Sequence, residues 1–224
     1  MLVEIYSDVV CPWCYIGKRR FEQALARFDG EVEVLWRPFQ LDPTAPLDAR
    51  PVRDVYEQKF GGTEQATRIV EHVTAVAASE GLEFRLDRAL RANTFAAHRL
   101  LWLAAREGVQ SRVNERLLQA YFREGADVSD HATLATLGAE AGLHAVDVAA
   151  WLESHEGVEE VRHELGHGIE LGISAVPTFV FEGRWAVSGA HDPDTMLSVL
   201  QQVAARTGAP AGAGDACEGD ACAC

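Results

Sequence analysis

Apolar residues fall first at Leu2, Val3, Ile5 and Tyr6, a short run with strand character, and then recur at helical spacing at Phe21, Ala24, Leu25 and Phe28. Residues 32–39 alternate well enough for a second strand, which Pro38 either ends or places at an edge. Asp42-Pro43-Thr44-Ala45-Pro46 breaks the pattern as a polar connection. A run of helices follows. Thr63 is expected to cap a helix with Ile69, Val70, Val73 and Val76 on one face, closed by Gly81, and Asn93 to cap residues 94–103, apolar on most sides and therefore buried. Val113, Leu117, Leu118 and Tyr121 mark a third helix. Asp130 starts a fourth through Leu134 and Leu137, and Val148, Trp151 and Leu152 a short fifth. Val158, Val161, Leu165 and Ile169 then form a helical stripe ended by Gly172. Residues 173–187 read as two strands joined by a tight Glu182-Gly183 turn, and a last helix runs from Asp192 and Pro193 through Met196, Leu197, Leu200 and Val203. Gly208 to Cys224, rich in Gly and Ala without apolar period, is expected to be a mobile tail.

This order predicts an α/β unit made of residues 1–45 and 155–207, an all-helical lobe inserted at 46–154, and a cysteine-containing tail at 208–224. With 224 residues and 48% hydrophobic content, the chain can bury a full core. A net charge of -14 argues against nucleic acid or an anionic membrane as partner, and the longest basic run is Lys18-Arg19-Arg20. The chain opens on a strand rather than a charged leader, and no apolar stretch is long enough to span a bilayer, so a cytoplasmic protein is expected.

The candidate chemistry lies where the first strand gives way to the first helix, at Cys11-Pro12-Trp13-Cys14. The unsatisfied N–H groups and the positive dipole end of a helix's first turn favour a thiolate, which makes Cys11 the nucleophile. Cys14, one turn further in, is placed to resolve a mixed disulfide on Cys11, and Pro12 suits the first helical position. A zinc site needs four ligands, and the next cysteine lies near the far end of the chain. A structural cross-link closing so short a loop restrains little chain entropy. Redox activity is the better reading.

Cys11-Pro12-Trp13-Cys14-Tyr15-Ile16-Gly17, the helical insertion, Ala175-Val176-Pro177-Thr178-Phe179 and Ser188-Gly189-Ala190 together resemble the DsbA-like branch of the thioredoxin superfamily, and more closely its FrnE-like members. The resemblance covers nearly all of the chain up to the last helix. It implies an α/β thioredoxin-like fold with a large all-helical insertion, and thiol-disulfide oxidoreductase or isomerase activity. It also implies a cis bond at Val176-Pro177 beside the dithiol, with Val176 and Pro177 lining the substrate site. Pro12 and Trp13 would tune the potential. Where the strongest oxidants of the wider family carry histidine, Trp13 offers bulk and one N–H donor, so a potential on the order of -150 to -250 mV is expected. No cofactor is expected beyond the redox disulfide, with glutathione as an optional co-substrate. The expected partners are disulfide-containing proteins or small thiol compounds and a cellular thiol reductant, with no nucleic acid and no membrane.

Cys217, Cys222 and Cys224 crowd the acidic tail. Cys217 or Cys222 would serve as auxiliary thiols that relay electrons to or from Cys11; soft-metal binding and a passive end are the competing readings. His163-Glu164-Leu165-Gly166-His167 matches the H-E-x-x-H pattern of zinc proteases, a short pattern easily met by chance. No third ligand stands out, so Leu165 is read as core-facing, both histidines as solvent-facing, and no metal site is assigned. His98 and His191 are expected to serve in helix packing and at a helix start. The related kappa-type glutathione transferases and 2-hydroxychromene-2-carboxylate isomerases carry serine at the nucleophile position, so Cys11 and Cys14 favour dithiol exchange over that alternative. A redox-sensing holdase or a metal-binding protein completes the set.

Overall fold

The computed structural model describes residues 1–46, 49–144 and 147–208, without the side chain of Asp54. The tail expectation and Cys217, Cys222 and Cys224 lie outside the described residues. Strand β1 (Leu2–Ser7) passes into helix α1 (Pro12–Leu25) and then strand β2 (Glu33–Pro38). The lobe follows: β3 (Arg50–Pro51), α2 (Arg53–Phe60), α3 (Thr63–Ser79), β4 (Leu90–Arg91), α4 (Phe95–Arg106), α5 (Gln110–Gln119), a π-helical turn at Ala120–Glu124, α6 (His131–Glu140) and α7 (Val148–Glu153). The chain then closes with α8 (Val158–Glu170), β5 (Thr178–Phe181), β6 (Trp185–Ser188) and α9 (Pro193–Thr207).

Four of the six described strands form one mixed sheet in the order β2-β1-β5-β6, with β1 parallel to β2 and antiparallel to β5. Ile5 therefore stands between Trp36 and Phe179. One face of the sheet packs Val3, Ile5, Phe179 and Phe181 against Phe21 of α1 and Met196 and Leu200 of α9. Pro38 ends β2, which is also an edge strand. Glu182 and Gly183 both take positive φ, the geometry of the tightest hairpin turns, and Arg184 N–H closes the turn onto the Phe181 carbonyl at 3.0 Å.

The lobe has its own core, in which Phe84 stacks on Phe122 with ring centroids 4.4 Å apart. Tyr15 and Ile16 of α1 belong to this second core, while Phe21 and Ala24 belong to the first. The N-terminal turn of α1, and with it the cysteine pair, thus stands at the seam between the two.

The structure corrects several expectations. Helix α2 and the short β3–β4 ribbon were not visible in the pattern, because proline at 51 and two-residue strands leave no period to detect. The lobe is accordingly helical apart from that ribbon. Thr63 lies inside α3 and Gly62 takes the cap position, with no side-chain cap bond. Asn93 accepts the Phe95 N–H at 3.0 Å, whereas Thr94 stands at the cap position itself. Tyr121 lies beyond α5, on the π-helical turn. Residues 173–177 lead into β5 without joining it. In α8, Ile169 is 74% exposed, and Val161 and Gly168 are the buried positions. Gly168 is selected by close approach, since a Cβ there would stand 3.0 Å from the Tyr6 ring.

All three residues of the basic run are paired. Buried Lys18 bonds Glu22 and Glu115, Arg19 reaches the same two carboxylates, and Arg20 pairs with Glu80. Tyr15 donates to Glu115 at 2.8 Å, so α1 is tied to α5 of the lobe through a polar cluster. Its charges are satisfied within the fold and do not form a basic surface patch.

Candidate active site

Cys11 occupies the cap position of α1 in an extended conformation, and Pro12 is the first helical residue. The Cys11 carbonyl accepts the Cys14 N–H at 3.0 Å, which fixes the two thiols one turn apart. Both are free and buried, Cys11 at 4% exposure and Cys14 at 1%. Only Cys11 lines a cavity of about 410 Å³ between α1 and the lobe. Trp13 is 38% exposed at the rim, its ring centroid 6.3 Å from that of His72.

Facing the dithiol is the chain before β5. The Val176-Pro177 bond is cis, and the Cys11 Sγ lies 3.9 Å from the Val176 carbonyl oxygen. Three features that pattern reading left without a role hold this corner. Gly189 donates its N–H to the Pro177 carbonyl at 2.8 Å, and Thr178 donates its hydroxyl to the Ala175 carbonyl at 2.7 Å. Gly17 lets α1 approach closely, since a Cβ there would stand 2.9 Å from Pro177 Cγ and 3.3 Å from Ala190 Cβ. The advance signal for all three was their occurrence in the motifs that carry the family resemblance, Gly17 in the first, Thr178 in Ala175-Val176-Pro177-Thr178-Phe179 and Gly189 in Ser188-Gly189-Ala190.

Asp8 is a further residue whose place only the fold discloses. It is 1% exposed; its Oδ2 accepts the Leu41 N–H at 2.8 Å and its Oδ1 stands 3.5 Å from Nε2 of buried His98. That histidine nitrogen also lies 2.9 Å from the Phe39 carbonyl, a packing role as expected. His191 Nε2 lies 2.9 Å from the Ser188 carbonyl just before α9. His163 and His167 are both exposed, while the Glu164 carboxylate between them accepts from Arg37 at 3.1 Å. Among the described residues no group of three His, Cys, Asp or Glu side chains is arranged to hold a metal.

Burial pushes the Cys14 thiol well above the ordinary 9.0, and a hydrogen bond with Cys11 and its charge add to the effect, against lesser lowering by Ser7 and the Asp8 backbone. The folded state therefore holds this proton more tightly than the unfolded chain does. Cys14 contributes stability that is present below 9.0 and lost as pH rises above it. Alkylation near neutral pH followed by peptide mass mapping is expected to label Cys11 and spare Cys14, with Cys14 labelling growing only in alkali. Equal labelling near neutrality would contradict this assignment.

An outer thiol facing a cavity, backed by a buried protonated thiol one turn away, is equipped to form a mixed disulfide and then resolve it. On a sheet of this order, with a cis-proline corner beside the pair, the class is the thiol-disulfide oxidoreductases of the thioredoxin fold. Residues 2–201 match the DSBA-like thioredoxin domain, and the chain belongs to that family. The protein YwbO of Bacillus subtilis is 31% identical over 200 residues, 88% of this chain and 94% of that one. The crystal structure of a probable DsbA oxidoreductase from Streptomyces coelicolor is similar at a TM-score of 0.85 and 38% identity, covering 91% of this chain and 89% of that chain. The cytosolic disulfide reductase DsbM of Pseudomonas aeruginosa, solved with glutathione, shares the fold at a TM-score of 0.64 and 20% identity, over 90% of this chain and 98% of its own. No helix among the described residues is long and apolar enough to cross a membrane.

Proposed function

We propose that the protein exchanges its Cys11–Cys14 dithiol with disulfide substrates, either proteins or small molecules, Cys11 being the attacking thiol. The Cys11 thiolate attacks one substrate sulfur, the S–S bond breaks, and one substrate thiolate departs with the electron pair. Cys14 then gives up its proton and attacks Cys11 Sγ. The second substrate thiol leaves, and a Cys11–Cys14 disulfide remains. The substrate is reduced by two electrons and the protein oxidised by two; a cellular thiol, glutathione among the candidates, restores the dithiol. Run in reverse, the same steps oxidise or isomerise substrates. The observation that carries this reading is the asymmetry of the pair, with Cys11 on the cavity wall and Cys14 behind it.

Pro12 and Trp13 set the potential in this reading, and Val176 and Pro177 align an extended substrate segment. Among the described residues the Val176 N–H has no backbone partner, which supports that alignment. Cys217 or Cys222 act as auxiliary thiols, and a cytoplasmic location supplies the reductant. The test is titration of the full chain in glutathione buffers of graded potential, with disulfides mapped by mass spectrometry, alongside a Cys14→Ala variant. A Cys11–Cys14 disulfide at an intermediate potential is expected, passing to Cys217 or Cys222 if the tail relays electrons. The Cys14→Ala variant should accumulate mixed disulfides on Cys11. A zinc-loaded protein with unreactive Cys11 would overturn the reading in favour of metal binding.

A further inference from the structure

The cavity beside Cys11 carries more information than the exchange reading uses. Its about 410 Å³ falls within the range of small-molecule sites and is small for a folded protein surface. The wall opposite Cys11 is apolar: Val55 and Phe60 come from α2, and Ile69, Val70 and Val73 from α3. The α3 stripe seen in the sequence is thus only partly spent on the core, because Ile69 and Val70 remain half-buried and face this chamber.

The polar groups on the wall are few and differ in kind. Asp42 and Arg91 pair with each other at 2.7 Å and cancel. Lys59 has no ion-pair partner among the described residues; its ammonium lies 5.9 Å from the Phe60 ring centroid. The Tyr56 hydroxyl makes no hydrogen bond among the described residues, although Tyr56 lines the cavity together with Cys11. Burial first, and then the nearby Cys11 charge, push this phenol up to about 12. It therefore keeps its proton through the working range and acts as a hydrogen-bond donor.

From these observations we propose that the cavity binds a small organic disulfide with an apolar, ring-sized body and an anionic end, which pairs with Lys59 while Tyr56 donates a hydrogen bond to the departing sulfur. This deepens, and rests on, the dithiol-exchange reading. The Cys11 thiolate attacks the sulfur nearer to it, the S–S bond breaks, and the departing thiolate keeps the electron pair. Tyr56 O–H stabilises that charge without transferring its proton, and solvent protonates the thiolate after release. Cys14 then resolves the mixed disulfide. Glutathione disulfide is a poorer fit, since its peptide and zwitterionic groups would enter a chamber with few partners for them.

The test uses the pre-reduced full chain and three probes: a bis(nitrobenzoate) aryl disulfide, neutral dithiodipyridine and glutathione disulfide. Each rate is divided by that of the same probe with dithiothreitol, which removes intrinsic reactivity. The corrected rate is expected to favour the aryl carboxylate over glutathione disulfide by about 10-fold or more. Val70→Trp, which fills the chamber, should reduce that ratio about 10-fold. Lys59→Met should reduce the preference for carboxylate over pyridine about 3-fold, the scale of an exposed ion pair. Tyr56→Phe should steepen the dependence of rate on the pKa of the departing thiol across a series of substituted aryl disulfides, a readout that altered packing alone would not move. The exposed Lys59→Met and conservative Tyr56→Phe changes keep the test decisive if Val70→Trp does not fold. Equal corrected rates in the wild type, or ratios unmoved by the variants, would overturn the cavity assignment while leaving exchange intact. No reaction of Cys11 with any probe would overturn the exchange reading itself.

Discussion

Replacing Cys11 by alanine is expected to lower disulfide reduction by at least about a thousandfold, toward the background rate, as losing a nucleophile does in enzymes whose catalytic groups act as a unit. Cys14 cannot take over. It is 1% exposed, its proton is held well above the ordinary thiol range, and the cavity wall includes Cys11 but not Cys14. The fold should survive, because the side chain lost is small and borders a cavity, so about 1 kcal/mol of stability is the expected cost. Insulin reduction and urea unfolding measured on the same preparation separate the two effects. A Cys11→Ala variant that keeps normal reduction would require another attacking thiol and would sink the mechanism.

Gly17→Val is expected to damage both stability and exchange, although residue 17 carries no reactive group. A Cβ at this position would stand 2.9 Å from Pro177 Cγ, and a proline ring cannot swing away as the end of a flexible side chain can. The Ala190 Cβ, at 3.3 Å, narrows the other exit. Helix α1 and the Pro177 corner must therefore separate, at a cost of about 1–3 kcal/mol, the range for overpacked sites. The same separation moves the Val176 carbonyl away from Cys11 Sγ, now 3.9 Å distant. Exchange with an extended peptide disulfide should fall by about 10-fold or more, given how steeply rates depend on sub-ångström positioning. Urea unfolding together with kcat/KM for a peptide disulfide checks this. Wild-type values for both would mean that Gly17 does not position the corner.

Two buried clusters show where pattern reading stops. The helical period correctly marked Val161 as buried in α8, but it also promoted Ile169, which is 74% exposed, and passed over Gly168, which is buried against Tyr6. Hydrophobicity records which residues gain by leaving water; it does not record where two backbones come close enough to require a residue without a Cβ. Similarly, the pattern shows Lys18 only as part of the longest basic run, yet its side chain is buried because Glu22 and Glu115 neutralise it, and Glu115 belongs to α5, far along the chain.

What the chain determined by itself was local: the strand-to-helix junction that puts Cys11 at a helix cap, Pro12 at the first helical position, the Glu182-Gly183 turn, and the Asp130 and Asp192 caps, whose side chains accept Thr133 and Thr195 N–H groups. These depend on neighbours a few residues apart, which sequence lists directly. The tertiary structure decided which partners meet across the chain: Gly17 with Pro177 and Ala190, and α2 and α3 with Cys11 around one cavity, whereas the Val176-Pro177 corner beside Cys11 was expected only through the family resemblance. Such contacts join residues separated by most of the chain, and burial, close approach and enclosed volume come into being only when the two cores pack on either side of α1.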